Sequence, residues 1–257
     1  MLLSADRTGN VNAAIPLTAP AGKTWQDFSY QDKLYRSAVA SGYARGNVTA
    51  GYVQLYSLLV PGQENLVLLN PEDESMAGGQ AAGATAAWAV FFKTKTSLSN
   101  LKAIQQELIN YKLSLMPFAD VQNTDSSWAA IQFVGLSGFL KAEIADGKAM
   151  FLPDRPVSTA EVKEPVKEFY YKAQIWFDDY KSSDMTIAGV LSLLSKVGNK
   201  SMENTREEVK KKWKAGYHFK TEFDLDRVAT RREFSVLVYE YLNPFKVNTD
   251  KTGRVLR

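Results

Sequence analysis

Two neighbouring arginines, two glutamates and one glycine-rich stretch are the residues whose types and spacing could do chemistry. Arg231 and Arg232 could grip a carboxylate or a pyruvyl group in bidentate fashion. The plainer reading makes them exposed first-turn residues of a capped helix. Glu161 and Glu233 have the chemistry of general acids, yet each follows a hydroxyl residue at capping-box spacing, Ser158 and Thr230. That spacing accounts for both without catalysis. Gly79, Gln80, Ala81, Ala82 and Gly83 would let a backbone or an anionic group come close to a helix start, where free amides and the dipole favour negative charge. Tight packing of the helix on a sheet is the plainer reading. Adjacent acids, as in Asp178-Asp179 and Glu72-Asp73-Glu74, usually point apart into solvent. Asp120, Asn123 and Asp125 have loosely calcium-like spacing but lack the glycine and distal glutamate of a binding loop, so a turn and helix cap are expected.

The chain has 257 residues, one histidine (His218) and no cysteine. Disulfides, thiolate zinc sites, cysteine nucleophiles and sites needing two imidazoles are thereby excluded. No catalytic set and no metal site is expected. The net charge of +3 is too small for an electrostatic nucleic-acid binder. Residues 200–257 nevertheless carry 14 basic and 9 acidic side chains, so the basic excess lies at that end. No apolar run approaches the roughly 18–20 residues of a membrane span, and no secretory leader is visible in MLLSADRTGN. Trp25, Tyr30, Tyr35, Tyr43, Tyr52 and Tyr56 could line a sugar-binding face or pack half-buried.

The expected fold is mainly helical, of α+β type. Residues 1–116 form a small α/β or α+β part, and residues 117–257 a helical region of two related helix–loop–helix repeats, at about 117–183 and 184–245. In the first part LYRSAVASGYA suggests a short helix ending near Gly42. GYVQLYSLLV suggests a strand, Pro61-Gly62 a turn and Asn65 to Leu69 a short buried strand. SMAGGQAAGATAAWAVFF reads as a helix, and residues 99–115 as an amphipathic one capped by Ser97 or Ser99. In the second part DRPVSTAEV from Asp154 and DRVATRREF from Asp226 match without gaps, 72 residues apart. Each copy reads as an extended lead-in feeding a capped helix, with Pro165 either kinking the first helix or opening it near Glu164. Upstream helices are expected over Ser126 to Gly138 and Asp184 to Gly198. A third, over Thr205 to Gly216, would be opened by a Thr205–Glu208 box and turn Lys210 to Lys214 outward.

Two stretches resemble known families. Tyr56, Ser57, Leu58, Pro61, Asn65 and Leu66, followed by Gly79 to Gly83, resemble the C-terminal end of bacterial FAD-dependent oxidoreductases. That resemblance implies a helix start of Gly79, Gln80, Ala81, Ala82 and Gly83 facing a flavin. The chain has no G-x-G-x-x-G after a strand near its start, so no cofactor is expected and FAD is the alternative. From Pro117, PFADVQNTDSSWAAIQFVGLSGFL and the two DR-x-x-S/T segments resemble S-layer-homology repeats. This implies a helical bundle at the bacterial cell envelope, with Arg231, Arg232 and Trp128 as glycan-binding residues. The expected function is therefore a non-catalytic, envelope-associated binding or interaction module, free-standing or the tail of a larger flavoenzyme-like protein. Its partner would be an envelope glycan or another protein domain, with no nucleic acid and no membrane span. The alternative is a segment that completes a flavin site of an oxidoreductase.

Overall fold

The computed structural model describes residues 24–43, 49–69 and 76–256 in full and residues 2–5 and 11–15 by their backbone. Glu72-Asp73-Glu74 lies outside the described residues. Among those described, helix exceeds strand by a wide margin and the fold is α+β. β1 (Leu2–Ala5) and β2 (Val11–Ile15) pair antiparallel. β3 (Trp25–Asp27), β4 (Ala38–Tyr43) and β5 (Ala50–Gln54) form an antiparallel sheet in the order β3-β5-β4. Gly51 is required there, because a Cβ on it would stand 2.3 Å from the Trp25 ring that crosses the strand.

The helix expected over LYRSAVASGYA is instead a 3-10 turn, Leu34–Ser37, running into β4. Ala38, Val39 and Ala40 are all fully buried. α1 (Met76–Phe91) and α2 (Leu101–Asn110) both pack on this strand, so its run of small apolar residues shows no alternation. The Gln105 side chain of α2 donates to the Arg36 and Ala38 carbonyls at 3.0 and 2.8 Å. Asn100 caps α2 in place of the expected serines. β5 ends at Gln54 and turns into a 3-10 helix, Leu55–Leu58. Asn65 to Leu69 contributes only a bridge from Val67 to Leu59, rather than a strand.

The second part holds α3 (Trp128–Ser137), a small hairpin of β6 (Glu143–Ala145) and β7 (Lys148–Met150), and five further helices. These are α4 (Thr159–Phe169), α5 (Lys172–Asp179), α6 (Ile187–Gly198), α7 (Met202–Lys212) and α8 (Arg231–Tyr241). Pro165 lies well inside α4, whose cap is Ser158. Ser201, not Thr205, caps α7; Thr205 is buried within it.

The two expected capped helices are present, and a third of the same kind stands between them. Ser158, Thr186 and Thr230 each sit in extended backbone and each accepts the amide three residues on. The residues just before the caps, Val157, Met185 and Ala229, are all fully buried. Val157 N–H donates to Ala229 C=O at 2.9 Å, Ala229 N–H to Met185 C=O at 2.8 Å, and Met185 N–H to Val157 C=O at 3.0 Å. The residues just after the caps repeat the cycle: Thr159, Ile187 and Arg231 donate to Ser183, Arg227 and Arg155 at 2.8, 2.9 and 2.9 Å. Three helix–lead-in–helix units, α3–α4, α5–α6 and α7–α8, are thus joined around a pseudo-threefold axis. The first helix of each packs on the second helix of its predecessor, and α3 closes the ring on α8.

One continuous apolar cluster runs through both parts of the chain. One polar fastening between them is Glu168 on α4, which accepts from the buried Arg36 at 2.9 and 3.0 Å and from Lys33 at 2.6 Å. Burial works to raise the Glu168 carboxyl, but the hydrogen bonds from Arg36 and Lys33 outweigh it and hold its pKa below the ordinary value. A depressed carboxyl contributes stability above its unfolded pKa and loses it as pH falls through the folded one. Glu168→Gln should therefore lower unfolding free energy by about 2–4 kcal/mol near neutral pH, since it strands the Arg36 guanidinium. Denaturant titrations should show the gap to the parent protein narrowing below about pH 4.

Candidate functional site

The helix-start residues that looked chemical in the sequence meet in the wall between the first and third units. Both capping boxes form: Ser158 with Glu161 and Thr230 with Glu233. Each glutamate is also clamped by an arginine three residues before its own cap. Arg155 Nη2 reaches Glu161 Oε1 at 2.6 Å, and Arg227 Nη2 reaches Glu233 Oε1 at 2.8 Å. Glu233 further accepts from the Thr230 amide at 2.8 Å and from the Thr221 hydroxyl at 2.5 Å. It is buried with its lone pairs occupied, which is a structural carboxylate and not a general acid.

Arg231, read either as a ligand-gripping residue or as an exposed first-turn residue, is instead 1% exposed. Residues in the first turn point back toward the helix N-terminus, and here that direction leads into the first unit. Arg231 Nε donates to Phe151 C=O and Nη2 to Lys141 C=O, both at 2.7 Å, while Nη1 pairs with Glu161. Its guanidinium lies 4.6 Å from the centre of the Phe151 ring. Arg232 is half-buried and is also committed, to Asp125 at 2.7 and 2.5 Å and to Asp154 at 3.0 Å. Trp128 opens α3 and is 1% exposed, a core residue rather than a binding platform. Of the three residues expected at a glycan, the two arginines therefore join the third unit to the first, and Trp128 is core; nothing adjacent in sequence names the acids and carbonyls that satisfy the arginines.

The other candidates also resolve into structural parts. Asp120 accepts the Phe151 and Leu152 amides at 2.8 and 2.6 Å, and Asp125 binds Arg232, so the calcium-like triplet is split between two tasks. Asp178 accepts from Gln174 at 2.8 Å. His218 is an exposed residue just after the turn that follows α7, with φ of 58°. Lys212 bridges Glu208 and Glu240, both at 2.6 Å, and Lys214 pairs with Glu222 at 2.7 Å. Trp25, Tyr35 and Tyr52 are buried, and Phe28, Tyr30, Tyr35 and Tyr52 form an edge-to-face cluster rather than a sugar-binding face.

Gly79 to Gly83 lie inside α1, beginning three residues after Met76. Ala81 faces the sheet, whereas Gly79 and Gly83 face outward with nothing within 4 Å of where a Cβ would stand. A flavin dinucleotide asks for a parallel βαβ unit to seat its pyrophosphate. The described strands pair antiparallel with one another, and the parallel bridge from Phe118 to Ala149 is isolated, so residues 79–83 fit no flavin seat built from the described residues.

Two open depressions lie between successive units. One, of about 720 Å³, is lined by Glu164, Lys167, Glu168, Tyr171 and Gln174, with Ile175 beside them. These five stand six, nine, ten, thirteen and sixteen residues after the cap Ser158. The other, of about 550 Å³, is lined at the same five offsets from Thr186 by Ser192, Ser195, Lys196, Asn199 and Met202. In the third unit the equivalent place is filled. Tyr239, nine residues after Thr230, stacks on Phe133 at 4.8 Å, and Phe245 lies 4.5 Å from the same ring.

Set beside known proteins, the chain matches no family model, no curated protein and no solved structure.

Arg231→Ala should cost about 3–5 kcal/mol, because it leaves Glu161 and two carbonyls short of a buried partner. Arg231→Lys should recover little of it, a single ammonium being unable to reproduce the fork. Thermal unfolding of the parent and both variants checks this; a parent-like midpoint for Arg231→Ala would show that the fork is dispensable.

Proposed function

We propose that the protein is a non-catalytic, envelope-associated binding module whose threefold helical region presents its two inter-unit depressions to a cell-wall glycan. The observation that carries this reading is the repetition of an open surface at equivalent positions of two successive units, while the third equivalent is closed by aromatic packing. Both depressions are shallow and rich in hydroxyl, amide and charged groups, which suits a polyhydroxylated polymer lying across a surface better than a small buried ligand. In the first, the Tyr171 ring is 71% exposed beside Ile175 at 60%, an amphipathic platform with a polar rim. In the second, Lys196 and Lys200 favour an anionic substituent. Two modest sites on one rigid body gain by acting on one polymer chain together.

The protein should be retained on purified bacterial sacculi. Tyr171→Ala combined with Lys196→Glu should release it without changing its thermal midpoint, since all the altered groups lie at the surface. Absence of retention of the parent protein removes the glycan reading, and retention that ignores both substitutions removes the depressions as its location.

The second reading, a segment that completes a flavin site, draws on the open space over Gly79 and Gly83. Under it the pyrophosphate seat would be built by something other than the described residues. An absorbance scan of the purified chain with added FAD separates the two readings: a stoichiometric flavin band after desalting supports the oxidoreductase segment, and none is expected for the binding module.

A further inference from the structure

Four exposed apolar side chains of the first part gather at the far end of α1. Val90 is 78% exposed, Phe91 79%, Phe92 52% and, one short turn on, Leu98 67%. Their arrangement is fixed by the backbone and not by a loose tail. α1 stops with Lys93 in the left-handed region at φ of 51°, and the Thr94 amide reaches back to Ala89 C=O at 2.9 Å. The 3-10 turn Thr96–Leu98 then brings Leu98 round. The Trp88 and Phe92 ring centres lie 4.0 Å apart and those of Phe91 and Phe92 4.9 Å apart, so the rings stand as one cluster.

The charges around this cluster have one dominant sign. Residues 76–106 contain no aspartate or glutamate, and of their three lysines Lys93 and Lys95 stand at the cluster while Lys102 lies over the Phe245 ring. Lys93 and Lys95 are exposed and lie between the phenylalanines and Leu98. Glu64, the carboxylate that Lys95 acts on, is turned onto Ser97, accepting from its hydroxyl at 2.7 Å and its amide at 3.4 Å. Aromatic rings interleaved with lysines suit the boundary between headgroups and acyl chains, where rings enter the apolar layer and ammonium groups stay with anionic phosphates. A twofold pairing of two copies through the same patch would bring four lysines together, whereas an anionic surface neutralises them.

We propose that the end of α1, Val90 to Leu98, is a docking patch for the surface of an anionic lipid bilayer, with Phe91, Phe92 and Leu98 inserted and Lys93 and Lys95 on the headgroups. No described helix is long and apolar enough to cross a membrane, so the contact is with one surface. The patch lies on α1 and the turn that follows it, away from the depressions on α4 to α7, and stands or falls separately from wall binding.

The full chain should co-sediment with vesicles of phosphatidylcholine and phosphatidylglycerol, and far less with phosphatidylcholine alone. Trp88 is the half-exposed tryptophan while Trp25, Trp128, Trp176 and Trp213 are buried, so a blue shift of tryptophan emission on binding should come from the patch. Lys93→Glu with Lys95→Glu should lower partitioning by about 30-fold or more, from about fivefold per lysine. Phe91→Ser with Phe92→Ser should abolish it, both pairs keeping the parent's circular dichroism and melting temperature. Equal affinity for neutral and anionic vesicles, no binding to either, or binding that survives either pair overturns the proposal. So does a concentration-dependent dimer that Phe91→Ser with Phe92→Ser disperses, which would assign the patch to self-association.

Discussion

Three backbone hydrogen bonds, joining Val157, Met185 and Ala229 into a ring, are the constraint on which the helical part depends. All three residues are fully buried, and a buried amide or carbonyl without a partner costs about as much as a lost hydrogen bond. Each lead-in finds its partners only on the other two. No single unit can therefore bury its lead-in with a satisfied backbone, and no pair of units can either. Open helical repeats stack on neighbours and tolerate a free end; a closed cycle of three has none. The helices then follow from the ring. Each cap begins one residue beyond it, so the starts of α4, α6 and α8 are set together, and Val162, Val190 and Phe234 reach the core at the same offset from their caps.

Arg231 is the side-chain counterpart of that closure. It leaves the third unit and is satisfied wholly in the first, by the carbonyls of Lys141 and Phe151 and by Glu161. These contacts span 70 to 90 residues of sequence, so they can form only when the ring has closed. Glu161 joins the local and the distant: one carboxylate serves the cap of its own helix, the clamp from Arg155 and the fork from Arg231. The adjoining Arg232 ties the same helix start to Asp125 and Asp154, at the approach to α3 and at the first lead-in. Residues that a binding motif would turn toward a ligand are here consumed in holding the third unit to the first.

What was legible in the sequence was what is local. Ser158–Glu161 and Thr230–Glu233 announce their caps because donor and acceptor lie within one turn, and the left-handed Gly138 ends α3 as its residue type suggests. The middle unit, α5–α6, is hidden because its chemistry differs at the diagnostic positions. Where the other units have a clamping arginine and a capping glutamate, it has Ser183 and Gly189. The Tyr180 hydroxyl, donating to Asp184 C=O at 2.8 Å, fills the space over Gly189 that a side chain there would need. β4 was misread for a related reason. Its alanines favour helix by propensity, and burial between α1 and α2 erased the alternation that marks a strand. The burial of Arg231 was invisible because nothing in its neighbourhood of sequence names the carbonyls that receive it.

The departures from threefold symmetry carry more functional information than the symmetry itself. Packing needs one set of positions, inward of the caps, and there the three units agree in being apolar and buried. At the outward positions nine and ten residues after the caps they diverge: Lys167 and Glu168, Ser195 and Lys196, Tyr239 and Glu240. Glu168 is drawn into the fastening with Arg36 and Lys33, and Tyr239 into the seam with Phe133 that closes the ring. A cycle of three must close somewhere, and the seam where α3 meets α8 spends one of its three equivalent surfaces on that closure. The two surfaces left open are the ones between units that follow each other directly in sequence. Their different charge then follows from having no shared structural duty, which leaves each free to be shaped by what lies outside the fold.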